Sequence, residues 1–82
     1  MKKHIINQPV AITAVEFDKH TRAFPRQMEF DGRTYDFIDR GFACTVTRGK
    51  ATTQILTLSD GHSQFWLRRG DRGIWTLLGM CS

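Results

Sequence analysis

No apolar run in this 82-residue chain approaches the ~18 residues that a membrane-spanning helix needs. Met1-Lys2-Lys3 is basic, but no apolar stretch follows it, so no signal peptide is expected and a cytoplasmic location is. Cysteine is scarce. Cys44 and Cys81 lie far apart, and neither has a Cys-x-x-Cys partner or a His at zinc spacing. No metal site follows from them; a buried thiol at Cys44 and an inert one at a frayed Cys81 are expected rather than a disulfide. Helical periodicity is missing throughout. So are the phosphate loop, the nucleophile elbow and every metal-ligand spacing. His4, His20 and His62 are isolated. Asp60-Gly61-His62-Ser63 gathers three catalytic residue types, but neighbours on a strand point to opposite faces and form no triad by adjacency. Asp36 and Asp39 are expected in turn or surface roles. The chain is therefore expected to be no enzyme, with no cofactor, no metal and no small-molecule substrate.

What is present fits a folded domain with a small core: 40% of residues are hydrophobic and 24% charged. The net charge of +4 is unevenly placed. Residues 1–39 balance, whereas residues 40–82 hold Arg40, Arg48, Lys50, Arg68, Arg69 and Arg72 against Asp60 and Asp71. A basic half points to an anionic partner such as nucleic acid.

Residues 1–8 are expected to form a flexible tail and residues 9–82 a single domain. Pro9 opens VAITAVEF, where Val10 and Ile12 share one phase and Val15 and Phe17 the other; a bulge near Thr13-Ala14 reconciles them. Asp18 to Pro25 is expected to be a long loop that tucks Phe24 inward. Asp31-Gly32 between two alternating runs is a hairpin signal. It pairs Phe30 with Arg33 and Met28 with Tyr35, leaving Gln27, Glu29, Thr34 and Asp36 on a wet face. The apolar phase shifts at Gly41, which is expected to bend one long strand across two sheets.

From Thr52 to Met80 the pattern is a meander. A three-residue loop at Gly49-Lys50-Ala51 pairs Cys44 with Leu56 and Phe42 with Leu58. An Asp60-Gly61 turn pairs Leu56 with Phe65, and a loop centred on Asp71 pairs Leu67 with Trp75. These choices put Phe42, Cys44, Val46, Leu56, Leu58, Phe65, Leu67, Trp75 and Leu77 on one face. Five to six antiparallel strands of this length cannot cover their own apolar face as an open sheet. The expected fold is therefore all-β, mostly meander, closed into a small SH3-like barrel, with an OB-type barrel as the alternative.

The other face of the meander carries Ile55, Thr57, Gln64, Trp66, Arg68, Ile74 and Thr76, with Trp66 set between Ile55 and Thr76. An aromatic beside arginine on an outward sheet face is a stacking platform for bases. Arg69 and Arg72 in one loop, with Arg48 and Lys50 in another, supply cations for phosphates. The bland alternative is that the first strand or the tail covers Trp66 and makes a second small core. Arg69-Gly70-Asp71 is explained as a tight loop rather than an adhesion motif. The favoured function is nucleic-acid binding through Trp66, Arg68, Arg69, Arg72, Arg48 and Lys50. The alternative is a protein-interaction or homo-oligomerisation module, with the Asp18–Pro25 loop, Ile55, Trp66 and Ile74 as the contact.

The order Pro25-Arg26-Gln27-Met28-Glu29-Phe30, Gly32-Arg33-Thr34-Tyr35, Leu58-Ser59-Asp60-Gly61 and Gly73-Ile74-Trp75-Thr76-Leu77 resembles a group of small uncharacterised bacterial β-barrel domains. In these a Gly-Arg-x-Tyr turn precedes a closing Trp-x-Leu strand, and some accompany Y-family polymerase-like proteins. The resemblance, over residues 25–78, implies a bacterial accessory of DNA transactions and assigns no functional residue.

Overall fold

The computed structural model describes residues 3–20, 22–39, 41–70 and 73–82. Its seven strands are β1 (Lys3–Phe17), β2 (Ala23–Phe30), β3 (Arg33–Asp36), β4 (Phe42–Arg48), β5 (Ala51–Ser59), β6 (Gln64–Arg69) and β7 (Trp75–Cys81). All pairings are antiparallel, in the order β3-β2-β1-β7-β6-β5-β4.

The strand that serves two parts of the sheet is β1, not the stretch around Gly41. Lys3 to Val10 pairs with β7, and Ala11 to Phe17 pairs with β2. Residues 3–8 of the segment expected to be a tail thus lie within a strand. Pro9 is tolerated there because β2 begins to pair only at Ala11, so no neighbour on that side needs the missing N–H. The ladder does shift between Ile12 and Val15, as the apolar phase requires. The shift leaves Val15 and Phe17 exposed, however, while Val10 and Ile12 pack on the core.

The Asp31-Gly32 hairpin forms with the expected register. Both central residues have positive φ, 53° and 75°, as a type I′ turn demands. On its wet face Thr13 Oγ1 donates to Gln27 Oε1 and Gln27 Nε2 donates to Asp36 Oδ1, at 2.8 and 2.7 Å.

The core is Phe24, Met28, Phe37, Leu56, Leu58, Phe65, Leu67, Trp75 and Leu77. Burying each large apolar side chain is worth roughly 1.5–3 kcal/mol. The β2–β3 hairpin folds its aromatics over the inner face of β5, β6 and β7: Tyr35 and Phe37 meet the Phe65 ring at centroid distances of 5.1 and 5.6 Å. Curvature is forced by chain length. The edges β3 and β4 are joined only by residues 37–41. From Asp36 to Phe42 the chain reaches at most ~22 Å, whereas the outer strands of a flat seven-stranded sheet stand ~29 Å apart. The link crosses the end of β5, where Ile38 N donates to Ser59 O and Ser59 N donates to Asp39 Oδ1. Gly41 turns the chain here at φ 72°, and a Cβ would clash with Thr57 O.

The sheet is nevertheless open, which overturns the expected barrel, SH3-like or OB-type, and the count of five to six strands. Among the described residues no ladder joins β3 to β4. The aromatics of the hairpin cover the core, so closing hydrogen bonds are not needed to bury it. Phe42, Cys44 and Val46 are also displaced from the predicted core. The turn after β4 has two residues, not three, with Gly49 at φ 59°, so Arg48 pairs with Ala51 and Cys44 with Ile55. A one-residue slip moves every side chain of a strand to the other face. Phe42 is 82% exposed, and the thiol expected to be buried at Cys44 is exposed and free; Cys81 is free and lies within β7.

Candidate nucleic-acid interface

Alternation in β5, β6 and β7 sends Leu56, Leu67 and Leu77 inward and Thr57, Trp66 and Gly79 outward. The other two registers each differ by two residues from the expected ones. Asp60 Oδ1 accepts from His62 N and Ser63 N, making a four-residue loop that pairs Leu58 with Phe65. Gly70 N donates to Ile74 O, so Arg69 pairs with Trp75. An even slip preserves the face. Trp66 and Arg68 therefore point outward as expected, but Trp66 lies between Thr57 and Gly79, and it is Arg68 that lies between Ile55 and Thr76.

Trp66 is half-buried. Opposite it, β7 carries an extra residue at Leu78, and this bulge brings Gly79 beside the ring. A Cβ on Gly79 would lie 3.7 Å from Trp66 Cε3 and 2.7 Å from His4 O, so only glycine lets β1, β7 and the indole meet. Lys3 Nζ stands 5.5 Å from the ring centroid, a cation–π contact. The first half of β1 thus flanks Trp66 and leaves it accessible through a shallow hollow lined by Lys3, His4, Ile5, Ile55, Trp66 and Leu78. A second hollow shares Ile55 and Leu78 with the first and continues past Arg68 to Val46 and Arg48. Together they form a groove with an aromatic and a lysine at one end, an aliphatic floor, and two arginines at the other.

The predicted site is only partly assembled on this face. Trp66, Arg68 and Arg48 share the groove, and Lys50 is exposed in the adjoining turn. Arg69 points the other way. Its Nε donates to Gln54 Oε1 at 2.9 Å, its Nη2 donates to Ala23 O, and its guanidinium lies 4.7 Å from the Trp75 ring centroid. It ties β6 to the start of β2 on the inner side of the sheet and is not free for phosphate. Arg72 lies outside the described residues. Of the alternative contact residues, Pro25 is fully buried and Ile74 is exposed. Sequence reasoning missed Lys3 and Leu78. The β-branched pair Ile5-Ile6 was the signal that the strand begins before Pro9.

Charge sharpens the picture. Strands β4, β5, β6 and β7 and the first half of β1 contain no Asp or Glu at all, while they carry Lys3, Arg48, Arg68 and Arg69. Acidic residues are gathered elsewhere. Asp18 holds the β1–β2 loop by accepting from His20 N, Arg22 N and Arg22 Nε, and the Arg22 backbone N–H keeps its carboxyl below the ordinary carboxylate range. Asp36, Asp39 and Asp60 are each hydrogen-bonded in turns or ladders. Among the described residues no group of three or more His, Cys, Asp or Glu is placed to hold a metal ion, and no helix is long and apolar enough to cross a membrane.

No family model, curated protein or solved structure matches this chain. The resemblance to small bacterial barrel domains accordingly fails on two counts: no similarity supports it, and the sheet is not a closed barrel.

Proposed function

We propose that the chain is a non-enzymatic module that binds single-stranded nucleic acid along the outer groove. The observation that carries this reading is the absence of acid from β4 to β7 and the first half of β1, on whose outer face one groove joins Trp66 to Arg68 and Arg48. Trp66 offers a face on which a base stacks, and such stacking is worth about 1–3 kcal/mol per base. Arg68, Arg48, Lys50 and Lys3 are spaced along and beside the groove to meet successive phosphates, and Ile55 and Leu78 give the floor on which sugars rest. No acidic side chain of these strands opposes an approaching polyanion.

The test is a titration of labelled single-stranded oligonucleotide at increasing salt. If the four cations each displace one counterion, the logarithm of the binding constant falls against the logarithm of salt with a slope near −3, from about 0.7 per phosphate for single strands. Unchanged mobility of the oligonucleotide at low salt refutes the reading.

A further inference from the structure

The outermost strand β4 is exposed at all seven of its residues, from Phe42 to Arg48. An unprotected sheet edge is a template for another strand, and proteins blunt such edges with proline, bulges, charge or brevity. The other free flanks of this sheet carry those devices. β3 has four residues, with Arg33 and Asp36 at its ends. The open flanks of β1 are interrupted by Pro9, by a bulge at Asn7 with φ 54°, and by the shifts between Ile12 and Val15. β4 has no proline, no bulge and a single charge, Arg48, at its end.

We propose that β4 pairs antiparallel with β4 of a second copy, about a two-fold axis through Thr45. The two-residue turn fixes which backbone groups are free. Its closing pair, Arg48 and Ala51, exchanges both hydrogen bonds, and so do Val46 with Thr53 and Cys44 with Ile55. The N–H and C=O groups of Ala43, Thr45 and Thr47 therefore point to the open edge. Centring the axis on Thr45 sets Thr45 against its copy and Ala43 against Thr47, so every one of these groups finds a partner. On the outer face the same register sets Cys44 against Val46 and Phe42 against Arg48. The most exposed aromatic then lies under a guanidinium, and no like charges face each other. A second copy suits the strand because the strand is its own complement in this register. Gly41 at φ 72° and Gly49 at φ 59° turn the chain away at both ends and limit the pairing to β4. An isologous contact of this kind closes on itself; the remaining edges, short or broken, do not extend it into a fibre.

Sedimentation equilibrium of the intact chain tests this independently of any nucleic acid. The expected result is an apparent mass that doubles as concentration rises. Thr45→Pro removes one outward N–H from an edge position where proline is tolerated, and Thr45→Lys sets like charges together at the axis; both are expected to leave a folded monomer by circular dichroism. With Cys44→Ser and Cys81→Ser in place, Thr45→Cys is expected to form a covalent dimer with oxidised glutathione, since facing hydrogen-bonded residues stand ~5.5 Å apart, within disulfide reach. A monomer up to millimolar concentration overturns the proposal. So does a dimer that persists in a folded Thr45→Lys chain, or a dimer that Thr45→Cys does not crosslink.

Discussion

The two faces of β5, β6 and β7 use the same backbone for different ends. The inner face spends Leu56, Leu58, Phe65, Leu67, Trp75 and Leu77 on packing, and each is at most 5% exposed. The outer face places Ile55, Trp66 and Leu78 where the first half of β1 flanks them without covering them, with Arg68 farther along beside Arg48. What the inner face does is explained by burial. The outer face has an aromatic, aliphatic side chains and cations with no acid among them. The contrast extends to two consecutive arginines: Arg69 is bound into the inner side, and Arg68 is open on the outer side.

The largest effect that sharpens this contrast is on the inner face. Phe65→Ala removes the ring against which Tyr35 and Phe37 pack, and is expected to cost about 3–5 kcal/mol of stability in urea unfolding. On the outer face Trp66→Ala is expected to weaken oligonucleotide binding by about 1–3 kcal/mol, with a smaller loss of stability than Phe65→Ala because the indole is only half-buried. The arginine pair separates the faces most cleanly. Arg69→Ala is expected to lower stability by about 1–3 kcal/mol through the orphaned Ala23 carbonyl and Gln54, with binding retained. Arg68→Ala is expected to do the reverse, flattening the salt dependence of binding by about 0.7 in slope. If both variants behave alike, the two faces are not functionally distinct. The smallest effect is a pH dependence remote from both. Because Asp18 has a lowered pKa in the folded chain, its contribution to loop order is present above the ordinary carboxylate pKa and is lost as pH falls through the lowered value. Amide exchange at His20 and Arg22 is expected to rise over that interval in the parent chain and to be pH-insensitive there, beyond intrinsic chemistry, in Asp18→Asn.

Parity explains how much of this was legible in the sequence. Alternation assigned the inner and outer residues of β5, β6 and β7 correctly, although the Asp60 and Gly70 loops shifted both registers by two, because an even slip keeps the face. The Gly49 turn was one residue shorter than expected, and that odd slip sent Phe42, Cys44 and Val46 from the predicted core to the exposed edge. The Asp31-Gly32 hairpin was legible because its turn chemistry admits one geometry. Closure was not legible, because whether β3 meets β4 depends on how the hairpin aromatics lie across Phe65, a contact between residues nearly thirty apart. For the site, Trp66 and Arg68 could be placed on one face from the pattern, whereas Arg48, expected in the Gly49 loop, joins them through the same odd slip of β4. The role of Arg69 could not, since its partners Gln54, Ala23 and Trp75 come from three strands.

The most direct measurement is the anisotropy of a labelled single-stranded oligonucleotide titrated with the intact chain and with Trp66→Ala, each at low and moderate salt. The outer-face account predicts binding at low salt that weakens steeply with added salt, and an affinity reduced about 5- to 150-fold in Trp66→Ala, the equivalent of 1–3 kcal/mol. Absence of binding at low salt, or equal affinity of the two chains, would contradict it.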